Sequence, residues 1–338
     1  LWLESFIAEY AGICIIISHD RSFLTSAVEK IFEMDEKQLF IFEGNYDDYI
    51  EQKVSWIGER EKQYTLQEKQ REKLEQLIEN ARKISNGKKR GRAVKAAKRR
   101  LAREVTSREI SQYRDMCLNS LRISGSVHSG KKMLDVKDLS YSYDGRKAVI
   151  DNTNLVLRGR EKCWVFGANG TGKTTFVKLL TGALVPTRGT VTWGTSVRYA
   201  YFSQDQSHLD MDQTVEGFFM GQAGVSYQNS FSGLKKFLFD KSMRKYKLRH
   251  LSPGQRARLS FAAFSYKNYD FLILDEPTNH LDIRTKEVIE ESLRDFQGGI
   301  LLISHDRYFI QNVEIDRAVT IENCEITEVC NADVLLEM

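Results

Sequence analysis

A run of glycines followed by a lysine and two threonines is the stretch of this sequence best suited to chemistry. Residues 162–166 before it are typical of a buried strand, and residues 175–180 after it are typical of an apolar helix. Between them, Gly167-Ala-Asn-Gly-Thr-Gly-Lys-Thr174 has the spacing of a phosphate-binding loop in its strand–loop–helix setting. Glycines let successive backbone N–H groups point inward, so that they hold phosphate oxygens at a helix N-terminus.

Each position in this loop has an expected task. Lys173 is expected to reach the β- and γ-phosphates of a nucleotide, and Thr174 to bind Mg²⁺ through its hydroxyl. The other loop residues expected to bind the nucleotide are Gly167, Asn169, Gly170, Gly172 and Thr175. The pattern therefore predicts a site for a nucleoside triphosphate and Mg²⁺.

A pair of adjacent carboxylates at the end of a second apolar run is the next candidate. Asp275 and Glu276 follow residues 271–274, which are typical of a buried strand. Like charges side by side are costly unless a cation or a reacting group uses them. We expect Asp275 to bind Mg²⁺ and Glu276 to orient and polarise the attacking water. The segment alone also fits a solvated acidic turn, but a phosphate-binding loop in the same chain favours the catalytic interpretation.

Together with further motifs, these residues resemble the ATP-binding cassette family. Residues 251–258, Leu-Ser-Pro-Gly-Gln-Arg-Ala-Arg, resemble the signature motif, with Pro253 where the commonest signature has glycine. The other matching positions are Tyr143 for the aromatic that stacks on adenine, Gln204 for the Gln loop, 279–282 for the D-loop and His305 for the switch histidine. These motifs occur in the family's order and cover about 200 residues.

The resemblance implies an α/β fold, that of a P-loop NTPase ATP-binding cassette, and hydrolysis of ATP with Mg²⁺. In this family one ATP lies between the phosphate-binding loop of one cassette and the signature of another. The residues implied to act on one nucleotide are Lys173, Thr174, Gln204, Asp275, Glu276 and His305, with Gln204 also a metal ligand. Ser252, Gly254 and Gln255 are implied to complete the opposing site.

The chain also repeats part of itself. Residues 12–23 match residues 298–309 at a constant offset of 286. Both contain an apolar run, 13–17 in the first copy, that is typical of a buried strand and ends in Ser-His-Asp-Arg. His19 is thus the counterpart of His305, the switch histidine of an earlier cassette. Residues 1–46 are expected to be the C-terminal remnant of that cassette, in a chain truncated at its N-terminus. A truncated form, a split protein completed by another chain, and a homodimer through residues 133–330 remain open.

Residues 47–122 have the pattern of two long helices. Apolar positions recur at roughly helical spacing, and glycine and proline are nearly absent. We predict an antiparallel two-helix coiled-coil linker with its turn at 86–92 and a first arm of roughly 55 Å. Residues 123–132 are expected to be a flexible join, 133–330 a complete second cassette and 331–338 a tail.

The net charge of +4 is unevenly distributed along the chain. Residues 51–122 hold 20 Lys and Arg against 10 Asp and Glu, so this segment is +10 and the rest is −6. Residues 82–103 contain eleven basic residues and no acidic ones. Such a surface favours binding to RNA, because Lys and Arg side chains that contact its phosphates release condensed counterions into solution. The candidate RNA contacts are Lys88, Lys89, Arg90, Arg92, Lys95 and Arg99. A solvated basic coiled coil with no specific partner is the alternative.

The order of these segments resembles the ABC-F branch of the family. Tandem cassettes, a charged helical linker and Asp-Glu-Pro-Thr-Asn-His-Leu-Asp at 275–282 carry the resemblance. It implies action on the ribosome, where the linker meets rRNA and tRNA, in translation or in protection from antibiotics. A compact linker turn favours translation over antibiotic resistance. The alternatives are the nucleotide-binding subunit of an ABC transporter and a DNA-repair or chromosome-associated cassette protein.

The composition indicates the cellular compartment in which the protein works. No apolar run approaches the ~20 residues that a membrane span needs, so we expect no membrane partner. The five cysteines are odd in number and widely spaced, as is typical of a reducing compartment. We therefore expect a cytoplasmic protein.

Overall fold

The structure is a computed structural model that describes residues 2–35, 38–105, 121–203 and 209–329. Gln204, residues 106–120 of the predicted linker and the predicted tail 331–338 lie outside the described residues. The described chain separates into two compact units. The first unit holds the residues up to 16 and those from 23 to 105, and the second holds residues 17–22 and the chain from 121 onward.

The secondary structure alternates helices and strands throughout the second unit. The helices of the described residues are α1 (Trp2–Glu9), α2 (Arg21–Ala27), α3 (Tyr46–Arg82), α4 (Gly87–Glu104), α5 (Lys173–Leu180), α6 (Val215–Ala223), α7 (Tyr227–Lys236), α8 (Pro253–Phe264), α9 (Ile283–Arg294) and α10 (Arg307–Val313). The strands are β1 (Lys30–Asp35), β2 (Gln38–Glu43), β3 (Lys132–Ser142), β4 (Ala148–Arg158), β5 (Lys162–Phe166), β6 (Arg188–Trp193), β7 (Tyr199–Phe202), β8 (Phe271–Asp275), β9 (Gly299–Ile303), β10 (Arg317–Glu322) and β11 (Glu325–Val329).

The first unit is built on the helical hairpin α3–α4. Asn45 starts α3 with a capping box, because its side chain accepts from the Asp47 and Asp48 amides while the Asp48 carboxylate accepts from the Asn45 amide. The 37 residues of α3 give it a length of about 55 Å, as predicted. Leu74 and Ile78 of α3 are buried, and Gln70 bonds Glu104 near the end of α4. The two helices therefore run antiparallel.

The predicted position of the hairpin turn is wrong. The connection between the helices is residues 83–86, and residues 88–92 form the first turns of α4 instead. Asn86 is the N-cap of α4, since its side-chain oxygen accepts from the Lys89 amide. An Asn-Gly pair can mark either a turn or the start of a helix. Here Asn86 caps α4, so the residues that follow it are helical.

Residues 13–17 do not form the buried strand that their sequence indicates. Ile13 and Ile15 are 95% and 91% exposed, and no described strand pairs with this segment. Their counterparts in the repeat belong to β9, which is buried because it lies between β5 and β8. An apolar run becomes a strand only where neighbouring strands satisfy its backbone groups.

The second unit contains a six-stranded sheet in the order β11-β10-β5-β9-β8-β7 and an antiparallel sheet in the order β4-β3-β6. In the larger sheet every neighbouring pair is parallel except β10 and β11. Every residue of β8 and β9 is buried, which explains why both read as continuous apolar runs. This arrangement is the predicted α/β class.

Alternate residues of the central strands enter two separate cores. Leu272 and Leu274 of β8 join a core that also contains Phe219 and Phe261 of the helices α6 and α8. Their neighbours on β8 face the opposite side, where the antiparallel sheet and α5 supply the packing. The sheet is therefore covered on both faces.

The register of the parallel strands fixes the positions of the loops that follow them. Trp164 of β5 pairs with Leu302 of β9, and Asp275 at the end of β8 pairs with Ile303 at the end of β9. The loops after β5, β8 and β9 consequently emerge side by side at one edge of the sheet. In open parallel sheets this edge is the usual place for a ligand.

Candidate functional site

Three glycines of the loop after β5 have backbone conformations that other residues rarely adopt. Gly167, Gly170 and Gly172 have φ angles of 151°, 83° and 106°. A Cβ on Gly167 would lie 2.8 Å from the Ile321 carbonyl oxygen, and one on Gly172 would lie 2.8 Å from Val149. A Cβ on Gly170, in contrast, would point into open space, and the neighbouring Asn169 is exposed. The loop is thus pressed against the protein on one side and open to a ligand on the other.

Lys173 is the first residue of α5, and its ammonium group bonds the loop itself. Nζ donates to the carbonyl oxygens of Gly167, at 2.7 Å, and Ala168, at 3.1 Å. Burial lowers the pKa of Lys173, and the nearby charges of Glu276 and Asp275 oppose this effect. Thr174 follows in the first turn of α5 and is half-buried. The helix N-terminus, the ammonium and the hydroxyl therefore converge where phosphates are expected.

Tyr143 follows the end of β3 and is 64% exposed. Its hydroxyl is 3.0 Å from the hydroxyl of Thr175 in α5, and the Tyr141 ring packs edge-on at 5.0 Å. These contacts fix the ring beside the phosphate-binding loop while leaving it accessible. Stacking on adenine remains the expected role of this residue.

The two acidic residues at the end of β8 differ in backbone conformation. Asp275 is the last residue of the strand and is fully buried. Glu276 has a left-handed φ of 49°, and its amide donates to the Ile303 carbonyl oxygen at 2.9 Å. For a non-glycine residue this conformation costs about 1–3 kcal/mol, and it is found most often at functional sites.

Burial and the neighbouring carboxylate raise the pKa of Glu276 to about 7. A hydrogen bond from the His305 backbone and the charge of Lys173 act in the opposite direction. The imidazole Nε2 of His305 lies 3.4 Å from Glu276 Oε1, and burial together with Lys173 lowers the pKa of His305. Near neutral pH these shifts favour the neutral imidazole of His305 and make the two protonation states of the Glu276 carboxyl group similarly populated.

The structure thus brings Tyr143, the phosphate-binding loop, Asp275, Glu276 and His305 to one edge of the sheet. Gln204 lies outside the described residues. The preceding strand, β7, pairs in register with β8 as far as Phe202 and Leu274, so it ends at the same edge.

The signature residues start helix α8. The Ser252 hydroxyl accepts from the Gln255 amide at 3.2 Å, while the Gln255 side chain accepts from the Ser252 amide at 2.9 Å. Pro253 occupies the first helical position, where its fixed φ and missing N–H are favourable. The departure from the commonest signature is therefore compatible with the helix start.

Gly254 places the signature directly against the D-loop. A Cβ at this position would lie 2.4 Å from the carbonyl oxygen of His280, which has a left-handed φ of 65°. The signature motif, which is expected to complete the opposing nucleotide site, is thus in contact with the D-loop, which follows Glu276 in the sequence.

His19 belongs to the unit that contains the cassette. Its backbone carbonyl accepts from Lys286 Nζ at 2.9 Å, and the nearby Arg21 is buried against α9. Neither Arg21 nor Lys286 was among the predicted site residues. The repeated Ser-His-Asp-Arg motif was the available signal for Arg21, whereas no local pattern marks Lys286.

All six candidate RNA contacts are exposed on α4. An open groove of about 620 Å³ runs along the hairpin, lined by Arg82, Arg90, Gly91, Val94, Lys95, Lys98, Arg99 and Ala102. These six cations of the predicted linker therefore face solvent.

The donor set at the carboxyl edge fits Mg²⁺. Mg²⁺ is usually bound by one or two carboxylates together with substrate phosphates and water. The Asp275 carboxylate is a ligand of that kind, and the Thr174 hydroxyl supplies a further oxygen donor. No cluster of three or more His, Cys, Asp or Glu that could hold a metal alone occurs in the parts of the chain that the structure describes.

Two family models, both described as ABC transporter, match residues 150–279 and 32–115. An ATP-binding protein Uup-like of Haemophilus influenzae is 36% identical over 92% of the chain and 67% of its own length. ATP-binding protein Uup of Escherichia coli is 34% identical over 97% of the chain and 50% of its own length. ABC transporter F family member 2 of Arabidopsis thaliana is 34% identical over 95% and 47%. The chain thus spans about half the length of the last two relatives.

Solved structures share the fold at low sequence identity. The dimeric structure of a bacterial ABC transporter cassette covers 59% of this chain and 100% of its own, with a TM-score of 0.50 and 20% identity. An Atm1-family ABC exporter with ATP bound covers 73% and 47%, with a TM-score of 0.52 and 17% identity. The predicted P-loop fold class is confirmed. Among the described residues, no helix combines the length and apolar character needed to cross a membrane.

Proposed function

Because the chain belongs to the ABC-F family of ATP-binding cassette proteins and carries their P-loop ATPase domain, we propose that it is an ATP-dependent factor that acts on the ribosome. The partner is RNA of the ribosome or its bound tRNA, contacted through the hairpin α3–α4. The observation that carries this proposal is the surface of α4.

Helix α4 contains nine basic residues and a single acidic one, Glu104, and all nine cations are exposed. Arg100 and Arg103 pair with Glu104. The remaining seven have no carboxylate within ion-pair distance among the residues that the structure describes: Lys88, Lys89, Arg90, Arg92, Lys95, Lys98 and Arg99. Uncompensated cations at this density repel one another, and a polyanion relieves the repulsion while releasing its own counterions.

The groove of the hairpin extends this cationic surface across both helices. Arg82 near the end of α3 lines the groove together with Lys95 and Arg99 of α4. A phosphate backbone lying along the groove would meet cations from both helices.

The short connection between α3 and α4 bears on the type of ribosomal role. In this family, antibiotic resistance often accompanies an extended linker tip. The connection here has only four residues, 83–86, which favours a role in translation.

In the cassette, the backbone of the phosphate-binding loop and Lys173 would hold the phosphates of ATP, with adenine on Tyr143. Thr174 and Asp275 would hold Mg²⁺, which when bound would neutralise charge on the phosphates. Glu276 would orient the attacking water and accept a hydrogen bond from it in its ionised form. His305, adjacent to Glu276, would hydrogen-bond the γ-phosphate region.

The signature residues would act on a nucleotide bound elsewhere. Ser252 and Gly254 would contact the γ-phosphate held by another cassette, supplied by the same protein or by a second copy of this chain. Since Gly254 also touches the D-loop, the opposing site would be linked to the position of Glu276.

Co-sedimentation with ribosomes tests the role of α4. We compare a Lys88, Lys89 and Lys95→Gln variant with a control that changes the exposed Lys235, Lys236 and Lys241 of the cassette to Gln. Both variants lose three positive charges. The α4 variant is expected to bind ribosomes more weakly, with a log–log salt slope reduced by roughly two to three, and the control to bind as wild type. Equal binding by both variants would contradict the proposal.

A further inference from the structure

A buried arginine of the first Ser-His-Asp-Arg copy lies against the cassette beside the second copy. Arg21 is 2% exposed, and residues 17–22 belong to the same unit as the cassette. Its guanidinium donates to both carboxylate oxygens of Glu290 in α9, one of them at 3.1 Å. Such a bidentate pair fixes both distance and orientation. The segment is therefore docked on α9 in one defined position.

The same guanidinium also reaches the loop that carries His305. Arg21 Nη2 lies 3.6 Å from Asp306 Oδ1, and the guanidinium carbon is 5.2 Å from the centre of the Tyr308 ring. Arg21 is thus held between α9 and the start of α10.

Lys286 of α9 makes a second bridge between the same partners. Its ammonium donates to the His19 carbonyl oxygen at 2.9 Å and to Asp306 Oδ2 at 2.8 Å, and the residue is buried. The two cations and the carboxylates of Glu290 and Asp306 form a neutral group of four charges. Removal of one member leaves an uncompensated buried charge, so the four positions depend on each other.

Asp306 connects this group to the candidate site. Its Oδ1 accepts from the Phe309 amide at 3.0 Å and so caps α10, while its own amide donates to the Ser304 hydroxyl at 3.1 Å. His305 is the residue between these two anchors. Movement of the Asp306 carboxylate would therefore move the His305 backbone and shift the imidazole from its 3.4 Å approach to Glu276.

We propose that Arg21 is a positioning residue for His305: the first Ser-His-Asp-Arg copy, docked through Arg21 and Lys286, holds Asp306 and thereby sets the imidazole beside Glu276. Glu290 is also held by Asn312 at 2.7 Å, so the specific contribution of Arg21 is its link to Asp306. The value of this positioning for catalysis rests on the proposed ATPase role of His305.

The imidazole signals of the full chain test this proposal without ribosomes, nucleotide or turnover. The chain has six histidines, and a His305→Gln variant assigns the ¹³Cε1–H signal of His305 in ¹³C-histidine-labelled protein. Arg21→Met is expected to shift or broaden the His305 signal while leaving those of His128 and His250 in place. Arg21→Lys keeps the positive charge near Asp306. In this variant the His305 signal is expected to lie closer to its wild-type position than in Arg21→Met.

Arg244→Met is the matched control. Like Arg21, Arg244 is paired with a carboxylate, that of Glu216, and lies over a tyrosine ring, with its guanidinium carbon 5.1 Å from the centre of the Tyr227 ring. Loss of this arginine is expected to leave the His305 signal unchanged. An equal shift in both variants would show a general effect of removing a carboxylate-paired arginine and would overturn the proposal.

Lys286→Met gives an independent arm if Arg21→Met does not fold. Because Lys286 bonds Asp306 directly, its variant is expected to perturb the same His305 signal. An unchanged His305 signal in a folded Arg21→Met or Lys286→Met protein would also overturn the proposal. Since the measurement contains no ribosomes, failure of the ribosome proposal would leave these outcomes unaffected.

Discussion

The imidazole Nε2 of His305 lies 3.4 Å from Oε1 of Glu276, although the two residues follow different strands. The pairing of Asp275 with Ile303 at the ends of β8 and β9 sets this distance. Burial raises the pKa of Glu276 and lowers the pKa of His305. Both groups are therefore kept from ionising as freely as they would in water.

Replacing Glu276 with Gln should stabilise the free protein more at about pH 8 than at about pH 5.5. A carboxyl group with a raised pKa binds its proton more tightly when folded, so wild-type stability falls as pH rises from the unfolded pKa through about 7. The glutamine variant avoids this loss, and the gain at pH 8 should be on the order of 1–3 kcal/mol. Urea unfolding with EDTA and without nucleotide measures it.

Glu104→Gln is the control for that pH dependence. The hydrogen bond from Arg103 lowers the pKa of Glu104, so its contribution is already complete at pH 5.5 and does not change up to pH 8. A stability gain for Glu276→Gln that is equal at the two pH values would contradict the raised pKa.

Replacing Gly254 with Ala should destabilise the cassette by about 1–3 kcal/mol. The new Cβ would lie 2.4 Å from a backbone oxygen, that of His280, so the D-loop or the start of α8 must move. Gly221→Ala is the control, because Gly221 lies inside α6 and, apart from its own helix backbone and chain neighbours, no atom lies within 4 Å of the added carbon. Urea unfolding should show the control unchanged or slightly stabilised. Equal stability of the two variants would argue against the contact.

Replacing Lys173 with Met should weaken ATP binding at least tenfold without lowering the stability of the free protein. The ammonium lies where phosphates are expected, and burial already lowers its pKa, so the free protein gains little from its charge. Titration with a fluorescent ATP analogue measures affinity, and urea unfolding measures stability. Lys178→Met, in the last turn of the same helix, should retain binding. Tight ATP binding by the Lys173 variant would exclude this loop as the phosphate site.

Tyr143→Ala should weaken ATP binding by about 1–3 kcal/mol, the usual range for loss of one base-stacking ring. Tyr143→Phe keeps the ring and loses only the hydroxyl contact with Thr175, so its affinity should stay close to wild type. The same titration compares the two variants. Similar losses in both would show that the hydroxyl contact matters and that stacking does not.

The sequence predicted best those features that depend on local pattern. The glycine spacing before Lys173 and the apolar run before Asp275 are read directly from neighbouring residues, and both lie at the predicted edge. The turn of the hairpin was misplaced because Asn86 can begin a helix as well as a turn. Residues 13–17 carry a strand pattern, but burial depends on neighbouring strands that a local pattern does not reveal.

Non-local contacts and burial set the remaining features. Arg21 and Glu290 are 269 residues apart, and nothing in their local sequences connects them. The raised pKa of Glu276 depends on how deeply its carboxylate is buried. The contact of Gly254 with His280 likewise arises from the packing of two loops.

The ribosome affinity of a Glu276→Gln variant, with and without ATP and Mg²⁺, tests the central claim most directly. This variant should bind ATP and fail to polarise the attacking water, and so remain in the ATP-bound state. We expect tight binding to ribosomes that requires ATP and weakens steeply as salt is raised. Binding that is absent, or that is equal with and without ATP, would contradict it.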